Sequence, residues 1–197
     1  MNSTLEPKLA PPGAGLSAPE LFVARALFAW KRLTRSRDVI DSSFRRERQI
    51  IDGLVSTCDS QAAARRVLID RVRGLEDSSR YWSVWMTLDH LRIVHRAITH
   101  TIAKLSRGAV PEGKASTAAV KPDPRVTAEV VSQYEKSADD LLTTVASIPN
   151  LKTDLRYAHP WFGPLDAAGW HALAAGHLKI HRMQIERIIQ GLRSTGI

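Results

Sequence analysis

Among the seven histidines of this chain, His177 and His181 stand four residues apart within GWHALAAGHLKIHRMQIERIIQGL. On an α-helix that spacing stacks the two imidazoles on one face. With each residue turned by about 100° from the last, the same face carries Trp170, Leu173, Ala174, Ile185, Ile188 and Leu192, while Lys179, Arg182, Glu186 and Arg193 fall opposite. Imidazoles in a core-facing stripe must be hydrogen-bonded, neutral or bound to something. A divalent metal ion satisfies both at once.

A third histidine fits the same description. SRYWSVWMTLDHLRIVHRAITHTIAKL reads as a helix whose apolar face holds Ile93, Val94, Ala97, Ile98, Ile102 and Leu105, with His90 inside it beside Met86, Thr87 and Val94. His95 falls at its margin, His100 near the other edge, and His171 off the stripe of the first pair. Periodicity therefore selects His90, His177 and His181. The plainer alternative is three core histidines that donate to backbone carbonyls. As a metal set, three protein ligands leave a coordination position open for water or substrate, which points to chemistry rather than to a purely structural site.

These histidines need helices to hold them. Residues 1–17 contain Pro7, Pro11, Pro12, Gly13 and Gly15 and read as a disordered or loosely attached segment. Residues 18–197 form one domain that begins with a helical extension over 18–35, capped by Ser17 with Pro19 and Glu20 in its first turn. That helix carries Leu21, Phe22, Leu27, Phe28 and Trp30 and is apolar over most of its surface, so it packs or covers a partner. Further helices are expected over 37–57, from Ser60 to Arg73 with Val67 and Leu68 inward, from Ser78 or Ser79 through the His90 segment, and over 125–148. Loops span 107–124 and 149–165, and Asp166 caps the last helix. No strand alternation stands out. The expected fold is all-α, a four-helix bundle with an additional N-terminal helix.

A length of 197 residues, with 44% hydrophobic and 24% charged residues, suits one domain with a sizeable core. The lone Cys58 excludes an intramolecular disulfide framework and a cysteine-based zinc site, and it suits a reducing cytoplasm. Neither a secretory signal nor a membrane-spanning run is apparent. The net charge of +8 is concentrated early, from Arg25 through Arg48 and again over Arg65–Arg73. Nucleic acid or an anionic membrane surface could use such a patch, but Asp38, Asp41, Glu47 and Asp52 are interspersed and favour a solvated helical face.

GAVPEGKA places Gly108, Gly113 and Lys114 at phosphate-loop spacing, yet Ala115 replaces the hydroxyl residue and Pro111 interrupts the loop. There is no GxSxG, GxGxxG or HExxH. Cys58 has no identifiable base and reads as an incidental thiol.

WSVWMTLDHL and HPWFGPLDAAGWHALAAGHLKIH, in that order, resemble the DinB-like superfamily, the YfiT-like metal-binding four-helix bundles that include bacillithiol transferases. The resemblance covers roughly residues 36–192 by pattern. It implies a divalent metal, nickel or zinc, on His90, His177 and His181. It implies a metal-dependent thiol S-transferase or hydrolase acting on a small-molecule substrate, such as a low-molecular-weight thiol and an electrophile. It also implies a homodimer. Within HPWFG, His159 is expected to hold the loop, with Trp161 and Phe162 as core plugs. His95 and His171 are candidate proton shuttles, against a plainer reading as surface residues; no general base is assigned. The alternative function is a non-catalytic, metal-stabilised bundle that binds a partner, with basic nucleic-acid binding a distant third.

Overall fold

The computed structural model describes residues 6–194; the first five residues of the expected N-terminal segment and the last three of the domain lie outside the described residues. Six α-helices follow in order: α1 (Ala18–Thr34), α2 (Arg37–Ser56), α3 (Ser60–Ala64), α4 (Val84–Ser106), α5 (Val130–Ser147) and α6 (Ala167–Ser194). Four of them, α2, α4, α5 and α6, make the bundle, with α6 packed on both α2 and α4, and α4 packed on α5. The expected all-α four-helix bundle with an extra N-terminal helix is therefore the fold found.

The caps follow from side chains that accept from otherwise unpaired N–H groups. Ser83 Oγ accepts from Met86 at 3.1 Å and starts α4; Asp166 Oδ1 accepts from Gly169 at 2.8 Å and starts α6, as its position indicated. Ser17 does not cap α1 with its side chain. Glu20 instead accepts from the Gly74 N–H at 2.7 Å and pairs with Arg71.

The expected Ser60–Arg73 helix is not formed beyond Ala64. Val67–Leu68 (β1) pairs antiparallel with Tyr81–Trp82 (β2), and Leu68 is exposed rather than inward. The β-branched Val67 on one side and the aromatic Tyr81 and Trp82 on the other favour this ribbon. Trp82, just ahead of the Ser83 cap, is thereby fixed, and the His90 helix starts at Val84 rather than at Ser78 or Ser79. Tyr157–His159 (β3) and Gly163–Leu165 (β4) form a second ribbon within the loop before α6.

The core is built from Phe44 and Ile51 of α2, Leu88, Leu91, Ile98 and Ile102 of α4, Leu141 of α5 and Leu178, Ile185 and Ile188 of α6, all nearly inaccessible. Polar residues lock the helices across it. Arg182 on α6 donates to Glu47 on α2 at 2.6 Å, and Arg48 on α2 pairs with Asp139 on α5. Arg37 donates to the Val145 and Ile148 carbonyls at the end of α5. This corrects the reading of Glu47 as part of a solvated face and of Arg182 as lying opposite the core. Both are needed where two helices meet at their margins.

Residues ahead of α1 touch the connection between α3 and α4. The Ala10 N–H donates to Asp77 at 2.8 Å, and Glu6 pairs with Arg66 at 2.6 Å. Among the described residues, no helix is long and apolar enough to cross a membrane.

Candidate metal centre

His90 from α4 and His177 and His181 from α6 converge at one point, each offering one ring nitrogen within 4.8 Å of the others. His90 Nε2 and His181 Nε2 each lie 3.1 Å from His177 Nε2. His90 and His181 are buried, while His177 keeps part of its surface open. The three residues selected by periodicity are thus brought together by the fold.

The far nitrogens of His90 and His181 are held by neighbours, whereas that of His177 is buried without a hydrogen-bond partner. His90 Nδ1 donates to the Val120 carbonyl at 2.6 Å. His181 Nδ1 lies 2.6 Å from Gln184 Oε1, and Gln184 Nε2 donates to the Ser79 carbonyl at 2.7 Å. A carbonyl can only accept, so the Gln184 amide is oriented with its oxygen toward His181, which makes His181 Nδ1 the donor. With both Nδ1 atoms protonated in neutral rings, His90 Nε2 and His181 Nε2 present lone pairs to His177.

A single proton on His177 Nε2 cannot fully satisfy both lone pairs, whereas a cation among the three nitrogens can. Two ligands about 2.05 Å from a tetrahedral zinc ion stand roughly 3.3 Å apart, close to the spacing found. Hydrogen bonds from ring N–H groups to carbonyl oxygens are the usual way ligating imidazoles are oriented. The residues present therefore fit a divalent metal ion.

Electrostatics keep the rings neutral. Burial pushes His90 down to about 4, opposed only by its bond to Val120. His177 and His181 are held well below the usual imidazole range, first by burial and then by neighbouring histidines. Neutral imidazole is the metal-binding form. Trp82 walls the cluster, with its ring 5.2 Å from His90 and stacked on His181 at 6.2 Å. Lys121, next to Val120, places its ammonium 5.4 Å from the Trp82 ring and bonds Glu76 at 2.8 Å, Ser78 at 3.0 Å and Ser79 at 3.1 Å. Burial, the largest single influence, works to raise Glu76, but hydrogen bonds from Lys121, Thr117 and the Gly13 N–H, together with the Lys121 charge, outweigh it and hold its carboxyl below the ordinary range.

The remaining histidines separate. His159 Nδ1 accepts from the Trp161 N–H at 3.1 Å, which is the loop-holding part expected of it. Phe162 packs against Phe28 at 4.5 Å and plugs the contact with α1. His95 and His171 are not surface residues. His95 is fully buried, with Nδ1 3.3 Å from Ser137 Oγ on α5, and His171 is buried with Nε2 2.9 Å from Asp41 on α2. A single-stripe reading misses them because α4 and α6 each bury more than one face.

Trp82 enters the sequence reading only as the first residue of the WSVWMTLDHL motif, and Gln184, Val120 and Lys121 do not enter it. Of these three, Gln184 carries a signal in the sequence: a polar residue three after His181 on an otherwise apolar stripe.

A family model for the DinB superfamily matches residues 43–185. The fold is similar to a solved structure described as "TT2238, a four-helix bundle protein", at 18% identity and a TM-score of 0.57, covering 77% of this chain and 98% of that one. No curated protein matches. The segment before α1, and α1 itself, precede the matched residues.

Proposed function

The chain belongs to the DinB superfamily, and from that premise we propose that His90, His177 and His181 bind a divalent metal ion, nickel or zinc, in a metal-dependent thiol S-transferase or hydrolase. The observation that carries this reading is the convergence of three neutral imidazoles, two of which, His90 and His181, already have their outer nitrogens held by Val120 and Gln184. A bound ion supplies Lewis acidity, which brings a water or a thiol toward ionisation near neutral pH. The protein's own groups supply the rest. Val120 and the Gln184–Ser79 pair fix the rings, and Trp82 keeps water from one side. The partly open edge of His177 is the approach for a small substrate, a low-molecular-weight thiol with an electrophile or a hydrolysable ester.

The near-complete burial of His90 and His181 favours a second reading, in which the ion only stabilises the bundle. Elemental analysis of untagged protein beside the His90→Ala, His177→Ala, His181→Ala triple variant tests the site. Near-stoichiometric metal in the parent and none in the variant supports it; equal content in both removes it. Turnover of a thiol with an alkyl halide, or of an ester, that is lost on chelation and restored by metal separates the enzyme from the second reading. A chelator that lowers Tm without any turnover to abolish favours the stabilised bundle.

A further inference from the structure

Helix α1 is anchored along one side and bare along the other. On the bundle side, Arg32 pairs with Asp166 at 2.9 Å, Arg25 donates to the Trp161 carbonyl at 2.5 Å, Glu20 holds the Gly74 N–H, and Phe28 packs on Phe162. On the outer side Phe22 is 73% exposed, Leu33 87%, and Val23, Leu27 and Trp30 each slightly more than half. None of α1's residues is buried. With large apolar side chains of roughly 150–250 Å² each, the five expose on the order of 600 Å², at the top of the range for the largest patch on a monomer. Leaving such a face in water is costly, and nothing among the described residues covers it.

We propose that this face is the contact between two copies of the chain, paired antiparallel through α1 about a two-fold axis near Ala26 and Leu27. The stripe is self-complementary in that arrangement. Val23, Ala26, Trp30 and Leu33 recur at alternating three- and four-residue steps, the seam used by paired helices. Pairing about Ala26–Leu27 sets the large Trp30 of one copy against the small Val23 of the other, and Ala26 lets the axes approach. Two such faces remove about 1,200 Å² from water, the lower bound for a specific interface before any rim is counted. The charges favour antiparallel over parallel. Lys31 and Arg35 sit at one end of a helix about 25 Å long, so a parallel pair would bring both basic ends together, whereas an antiparallel pair separates them by more than the ~8 Å screening length.

A lipid surface fits less well. An interfacial helix flanks its apolar stripe with basic residues. Here Arg25 and Arg32 are turned to Trp161 and Asp166, and Arg35 lies over the Trp30 ring at 5.7 Å.

Sedimentation of the full chain from roughly 1 to 100 µM, a range that brackets micromolar affinity, tests the proposal. The expected result is a concentration-dependent dimer that Leu27→Glu converts to monomer with unchanged helical circular dichroism. A parent that stays monomeric throughout overturns it, and flotation of that monomer with phosphatidylserine vesicles would assign the face to lipid. A dimer that survives Leu27→Glu together with Leu33→Glu also overturns it, because the interface then lies elsewhere. For the orientation, Ala26→Cys in a Cys58→Ser background should crosslink between copies under copper–phenanthroline. Phe22→Cys, roughly 13 Å from its counterpart along the axis, should not. No crosslink at Ala26→Cys, or crosslinks at both, overturns the antiparallel pairing. Metal content should be unchanged in all of these variants, so failure of the metal reading would be seen separately.

Discussion

His181 Nδ1 donates to Gln184 Oε1 across 2.6 Å, and the Gln184 amide is held in turn by the Ser79 carbonyl, 105 residues away in the chain. One turn of α6 thus sets the tautomer of its own histidine by reading a carbonyl at the turn before α4. Gln184→Ala removes that constraint and leaves the Ser79 carbonyl unpaired in the core. The expected outcome is a loss of metal affinity of about 10- to 100-fold, with a stability loss of about 1–3 kcal/mol. Competition against a chelator gives the first and urea denaturation of the metal-free protein the second. Unchanged affinity would mean that Gln184 serves packing only.

Much of this centre was legible because its ligands obey helical periodicity. His177 and His181 share a face four residues apart, and His90 lies inside the apolar face of α4. The bundle was legible for the same reason, and Asp166 marked the start of α6. What escaped depends on contacts distant in sequence. Whether β1 pairs with β2 is decided by Tyr81 and Trp82, more than ten residues from Val67 and Leu68. His95 and His171 look marginal on single helices, yet α5 and α2 cover them. Val120 acts through its backbone carbonyl, so its side-chain identity carries no mark of the part it plays.

Acid should unfold the metal-free protein in a window set by its buried imidazoles. Burial, then Arg48 and His181, pushes His95 down to about 3; burial alone pushes His159 to about 4. In the unfolded chain both titrate near 6.5. Between those values the unfolded state binds more protons, so stability is full above about pH 6.5 and falls as pH drops toward 4, by up to ~1.4 kcal/mol per pH unit for each such histidine. Urea midpoints measured from pH 7.5 to 5 should decline, and His95→Gln should make the decline shallower. A flat profile across this range would contradict neutral burial.

The Arg182–Glu47 pair ties α6 to α2 at 2.6 Å with both side chains largely covered, and Arg182 also reaches Glu186 at 2.5 Å. Arg182→Ala strands the Glu47 carboxylate, and the expected cost is about 3 kcal/mol, at the low end for a buried pair because some solvent remains. Glu47→Gln combined with Arg182→Gln removes both charges and should recover a large part of that loss. If the single and double variants lose equal stability, the ion pair contributes nothing specific and the effect belongs to the arginine's packing.

Gly191 tests how closely β1 approaches the end of α6. A Cβ there would lie 2.6 Å from Val67 Cγ1. Within a helix, alanine is favoured over glycine by about 1 kcal/mol, so propensity alone predicts that Gly191→Ala stabilises. Overpacking against a β-branched side chain costs about 1–3 kcal/mol, and Val67 cannot swing away freely because β1 is paired with β2. The clash should win, giving a net loss in thermal stability. Val67→Ala should remove the obstruction, so that Gly191→Ala in that background becomes neutral or stabilising. The sign of the glycine substitution should therefore reverse between the two backgrounds, and a loss of the same size in both would show that the ribbon does not pack on Gly191 as described.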